Sequence, residues 1–223
     1  MERQLSIELV KKFEEHLLKE ERSLSTKEKY LHDIVVFYEF MRGKALTKAA
    51  VLEYKSALLS NYAVTSANSM LAALCSFFRY LGWGDLCVKQ YKIQRSAFCP
   101  EEKELTRAEY LRLVKAAKSK GNERLGLIIQ TICGCGIRVS ELEYITVEAV
   151  KRGEAFVNCK GKNRRIFIVS ELKKKLLRYV KEQKISSGAV FVTRSGRPVN
   201  RINIWKEMKA LCEEAGVAPG KVF

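Results

Sequence analysis

Cys135-Gly136-Ile137-Arg138-Val139-Ser140-Glu141-Leu142 and, further along, Cys159-Lys160-Gly161-Lys162-Asn163-Arg164-Arg165 are the two stretches on which the reading of this chain turns. The first puts an arginine at a turn behind a strongly apolar helical run. The second is a basic, glycine-containing turn joining two β-prone runs, Ala155-Phe156-Val157-Asn158-Cys159 and Arg165-Ile166-Phe167-Ile168-Val169, and predicts a hairpin. A fixed fork of guanidinium donors and a lysine on a tight turn suit the oxygens of a phosphodiester, one to hold charge and one to deliver a proton. Taken singly, Arg138 could cap a helix or pair with Glu141, and Lys160 could be a solvated turn lysine.

Working outward from these stretches gives a mainly α, α+β architecture. Thr106 and Glu109 form a capping box that opens a helix through Lys118, and an apolar helix follows from Asn122 to Cys133. Ala189-Val190-Phe191-Val192 supplies a third strand for a small antiparallel sheet, and helices start near Ser170 and Asn200, the latter with Ile204, Met208 and Leu211 on one face. Toward the N-terminus, apolar residues repeat at helical spacing four times. Leu9, Val10, Phe13, Leu17 and Leu18 form one set; Tyr30, Ile34, Phe37, Tyr38 and Met41 a second; Val51, Tyr54 and Leu58, behind a Thr47 cap, a third. Thr65 or Ser66 is the expected cap for the fourth, which carries Met70, Leu71, Leu74, Phe77, Phe78 and Leu81 and stops at Gly82-Trp83-Gly84. The expected organisation is a four-helix domain over 1–85, a linker over 86–104 and a second domain over 105–223.

The 223 residues carry 41 Lys plus Arg against 25 Asp plus Glu, a formal net charge of +16, which favours a polyanionic partner. Residues 1–95 hold 15 basic and 11 acidic side chains, net +4, leaving net +12 beyond them. Phosphate affinity is therefore expected mainly in the second domain, peaking between Lys151 and Lys184. Seven cysteines without repeated CxxC spacing support neither a disulfide framework nor a zinc module, so no metal is assigned. No signal-peptide core or run of eighteen apolar residues occurs, and a cytoplasmic protein without a membrane partner is expected.

Gly136, Arg138, Ser140, Glu141 and Leu142, with the Lys160-Gly161-Lys162 turn, make the chain resemble the tyrosine recombinase and phage integrase family. Val190-Phe191 through Gly196 and Pro198, and Ala215-Gly216-Val217, match later landmarks, so the resemblance covers nearly the whole chain. It implies an N-terminal core-binding (SAM-like) domain and a catalytic domain that clamp double-stranded DNA. It further implies strand cleavage and rejoining through a 3′-phosphotyrosyl link, without ATP or metal, by a tetramer on two duplexes in full-length members. Arg138 would hold a nonbridging oxygen of the scissile phosphate, and Lys160, with Lys162 as the alternative, would protonate the departing 5′-oxygen. Glu141 would orient the arginine or its helix.

The family pattern continues into a His-x-x-Arg box and a nucleophilic tyrosine that these residues do not contain. The two histidines are His16 and His32, and the last of nine tyrosines is Tyr179. As written, the chain is expected to bind DNA without cleaving it, either as the N-terminal part of a longer integrase or as a naturally shortened, non-catalytic site-binding or regulatory protein. Expected DNA contacts are Ser25, Thr26, Lys27 and Lys29 at one helix start and Thr65, Ser66, Asn68 and Ser69 at another, with ordinary capping the alternative for Thr26 and Thr65. On the second domain they are Lys162, Arg164, Arg165 and Arg197, with Arg194 and Arg201 beside them.

Overall fold

Ser6, Ser23 and Thr47 each turn a side-chain oxygen onto the backbone N–H three residues on, and so open three of the helices in the first part of the chain. The computed structural model describes residues 3–94, 100–159 and 162–222, with the backbone alone at 101, 159 and 162. The chain divides into two compact units, residues 1–96 and 97–223.

The first unit contains α1 (Ile7–Lys19), α2 (Leu24–Phe40), α3 (Lys48–Asn61) and α4 (Val64–Tyr80). The expected start of α4 is corrected. Ala63 occupies the cap position with no side-chain hydrogen bond, and Thr65 and Ser66 lie exposed in the first turn. The helix tolerates an uncapped start because Ala67, Met70, Leu71, Leu74, Phe77 and Phe78 bury its inner face, and packing contributes more than a cap of about 1 kcal/mol. At the centre of this core Phe13 meets Phe77 and Phe37 meets Phe78 edge-on, while Phe77 and Phe78 stack on one another. Part of the segment expected as linker is laid against this unit: Leu86 is buried, and Tyr91 donates its N–H to Asn68 Oδ1 at 2.7 Å and its hydroxyl to the Lys55 carbonyl at 2.8 Å.

The second unit opens with α5 (Arg107–Ser119), whose Thr106–Glu109 capping box forms as the sequence signals, and α6 (Glu123–Cys135), capped by Asn122. After a 3-10 turn at Val139–Tyr144 come α7 (Val147–Arg152), the hairpin β1 (Glu154–Cys159) and β2 (Lys162–Phe167), then α8 (Ser170–Glu182) and α9 (Arg201–Ala215). One core joins α6, α7, the hairpin and α8, with Ile145, Val150, Ala155, Leu176 and Phe191 at its centre. A second joins α5, α6 and α9 through Leu113, Leu125, Ile129 and Leu211. Arg112 on α5 closes the far end of α9 by donating to the Ala215 and Gly216 carbonyls, satisfying acceptors the helix leaves open.

Among the described residues the sheet has two strands, not the three expected. Ala189–Val192 makes only isolated bridges, Ala189 to Thr146 and Val192 to Pro198. Val190 and Phe191 are apolar because they fill the core, where they are 0% and 1% exposed, and their N–H and carbonyl partners Ile145 and Val199 belong to loops. Burial without strand pairing produced the β-like run.

Candidate functional site

Gly136 ends α6 in the left-handed region (φ 60°), a conformation a β-carbon would strain, and its N–H returns to the Ile132 carbonyl. This reversal plants Ile137 in the core and delivers Arg138 in extended conformation at the head of the 3-10 turn. Glu141 reaches back three residues: its Oε2 accepts the Arg138 backbone N–H at 2.8 Å and its Oε1 accepts Arg138 Nη1 at 3.0 Å. A third donor arrives from β2, where Arg164 Nη2 bonds the same carboxylate and also lies 3.4 Å from the Gly136 carbonyl.

The carboxylate of Glu141 is 2% exposed, whereas the Arg138 side chain is 68% exposed. Burial pushes the Glu141 carboxyl up, but the Arg138 backbone N–H, the Arg164 guanidinium and the Arg138 guanidinium together outweigh it and hold the group below the usual glutamate range. Glu141 is thus an ionised anchor beneath the surface, with two cations above it. Of the Arg138 guanidinium it engages Nη1 only, which leaves most of that fork facing solvent.

The hairpin register explains which arginine goes where. Val157 pairs with Arg164 and Phe156 with Arg165, so Arg164 shares the core-facing side with Ile166 while Arg165 points outward with Phe167. Arg165 is ion-paired to Glu154 and lies 4.8 Å from the Phe167 ring centroid. The contact of Arg164, itself 44% exposed, with the buried Glu141 carboxylate was the site feature the sequence reading missed; the period-two alternation that buries Ile166 and Ile168 was its signal. Lys160 lies outside the described residues. Lys162 is described in backbone alone, as the partner of Cys159 in the last register pair. Arg194, Arg197 and Arg201 are all exposed, around a turn in which the Arg197 carbonyl accepts the Thr193 N–H at 2.7 Å.

In the first unit one depression, with a volume of about 430 Å³, is lined by Lys29, Thr65, Ser66 and Ser69 together with His32 and Tyr62. Other expected contacts are already engaged. Thr26 Oγ1 sits 2.8 Å from Ser23 Oγ, and Lys27 pairs with Glu14 at 3.0 Å. Asn68 is corrected outright: it is 8% exposed and spends both ends of its amide on the Tyr91 backbone, so it is a tether and offers no surface donor. Lys29 pairs with the buried Asp33 at 2.5 Å.

The Phage integrase family profile matches residues 103–222, more than half of the chain, and the Phage integrase N-terminal SAM-like domain matches residues 10–84. The chain belongs to the phage integrase family. Among curated relatives, the tyrosine recombinase XerA of Pyrococcus horikoshii is 28% identical over 220 residues, covering 94% of this chain and 74% of that protein. The tyrosine recombinase XerC of Roseiflexus castenholzii is 27% identical over 238 residues, covering 95% and 75%. Among solved structures, a lambda integrase tetramer bound to a Holliday junction aligns with a TM-score of 0.74 at 16% identity, covering 95% of this chain and 64% of that one. XerH recombinase bound to its difH substrate aligns at 0.68 and 15% identity, covering 97% and 70%. These likenesses show the integrase fold: a SAM-like helical domain followed by a helical domain with a small sheet. No helix among the described residues is long and apolar enough to cross a membrane.

Proposed function

We propose that this chain binds double-stranded DNA as part of site-specific recombination, holding a backbone phosphate with Arg138. The observation that carries the reading is the exposed Arg138 guanidinium fastened from below to a buried, ionised Glu141, inside the segment matched by the integrase profile. A guanidinium fixed this way meets a phosphate oxygen with little reorganisation, which is how charge that builds in a phosphoryl-transfer transition state is stabilised. Lys160, which follows Cys159 in the sequence, is assigned as the general acid for the departing 5′-oxygen; Glu141 positions Arg138. Lys29, Thr65 and Ser66 in the first unit, and Lys162, Arg165 and Arg197 in the second, are assigned to the DNA backbone, by contacts that set register and carry no sequence information. No metal or other cofactor enters this chemistry, and the protein acts in the cytoplasm.

The 223 residues contain no His-x-x-Arg box and no tyrosine beyond Tyr179, so binding without cleavage is assigned to them, and the covalent step, with assembly as a tetramer on two duplexes, to a chain that carries those groups. The test is a salt titration of duplex binding run beside a nicked suicide substrate. We expect a log–log slope of about −5, corresponding to roughly six phosphate contacts, and no covalent adduct. A nearly flat slope would sink the DNA reading, and a trapped adduct would show a nucleophile this assignment omits.

A further inference from the structure

Arg164 is the residue whose placement the fold explains and the proposed function leaves idle. It faces the core side of the hairpin, its guanidinium bonds Glu141 Oε2, and it reaches the Gly136 carbonyl at 3.4 Å, the position from which the chain turns into Arg138. The cluster therefore holds one carboxylate and two guanidinium groups, and the count of charges decides what Arg138 can do. A lone Arg138–Glu141 pair would be neutral and would draw the arginine fork inward to satisfy both carboxylate oxygens, the bidentate geometry a buried carboxylate favours. Oε2 takes both the Arg138 backbone N–H and Arg164, which leaves Oε1 for Arg138 Nη1, and with two guanidinium groups on one carboxylate one unit of positive charge stays uncompensated at the surface.

We infer that Arg164 is a positioning residue for phosphate binding. It neutralises Glu141 so that Arg138 keeps both its charge and its outward fork for DNA. The inference rests on the proposed role of Arg138. It makes Arg164 act through Glu141, in contrast to a direct contact with the DNA backbone.

The experiment measures anisotropy of a fluorescein-labelled duplex against salt for the full chain and for R138A, R164A, R164K, E141Q and the double variant R164A/E141Q, each checked by circular dichroism for retained helix. R164A is expected to bind roughly fivefold more weakly at about 0.1 M salt, with a slope shallower by about 0.9, the loss of one phosphate contact. E141Q introduced into R164A removes the charge that recaptures Arg138, and is expected to restore both affinity and slope. R164K, which keeps the charge, is expected to stay within about twofold of the parent.

If R164A loses affinity and E141Q does not restore it, Arg164 touches DNA directly and the inference fails. If R164A binds like the parent while R138A is weakened, Arg164 has no part in the site and the inference fails alone. If R138A itself binds like the parent, the reading of Arg138 fails first and takes this inference with it.

Discussion

Among the described residues each unit buries one carboxylate beside a cation assigned to DNA, and the two are solved differently. Asp33 on α2 is 3% exposed and, among the described residues, is held by Lys29 alone at 2.5 Å. Glu141 is 2% exposed and is held by a backbone N–H and two guanidinium groups. The first arrangement is a neutral pair, so whatever Lys29 gives to a phosphate it withdraws from Asp33. The second is a net cation whose anchor survives the departure of any one donor. Redundant donors separate positioning from binding; a single donor couples them.

The sharpest way to break this comparison is to remove one cation from each. Lys29→Ala strands a buried carboxylate and is expected to cost about 2 kcal/mol, the buried-pair penalty reduced for the partly exposed lysine. Arg138→Ala leaves Glu141 with Arg164 and the backbone donor and is expected to cost less than about 1 kcal/mol. Urea melts of the two variants decide it. Equal losses would show that redundancy at Glu141 has no energetic meaning.

These two clusters also mark where the sequence was readable and where it was not. The helices announced themselves through apolar spacing and through Thr47 and Thr106, because a cap and a buried stripe are local chemistry written within a few residues. Arg138, Glu141 and the hairpin were legible for the same reason. The fate of Asn68 was not, because its partner Tyr91 lies 23 residues away. Val190 and Phe191 looked like a strand because core residues and central strands share one composition, and only the chain's path distinguishes them. Arg164 lay between these cases: alternation with Ile166 carried an unread signal for its face, while the carboxylate waiting there is 23 residues earlier in the chain.

A third carboxylate, partly buried, sharpens the contrast. Glu109 closes the capping box of α5 and takes Lys221 Nζ at 2.9 and 3.1 Å. The Lys221 ammonium, followed by the Thr106 backbone N–H, lowers its carboxyl from the ordinary 4.5 to about 2. A folded value below the unfolded one means stabilisation that is complete above pH 4.5 and is lost as the pH falls toward 2. Glu109→Gln is therefore expected to lower Tm at neutral pH by less than the Lys29 change, with the gap to the parent closing through that acid window. A gap independent of pH would assign the loss to the capping geometry and not to the charge.

The smallest expected effect tests what stands beside Asp33. Tyr54 is 3% exposed, its ring is wedged against Phe37 and Phe40, and its hydroxyl has no hydrogen-bond partner among the described residues. Burial, then the negative charge of Asp33, then Tyr62 push that hydroxyl above the ordinary tyrosine range, so it stays a neutral phenol. A buried donor without an acceptor contributes nothing that its removal would forfeit, so Tyr54→Phe, which keeps the ring, is expected to change stability by no more than about 0.5 kcal/mol and in the stabilising direction. A loss of about 1 kcal/mol or more in the same urea melts would mean the hydroxyl does bond in solution, with Asp33 the charged acceptor nearby. Asp33 would then have a second donor, as Glu141 has, and the contrast between the two units would shrink to one of degree.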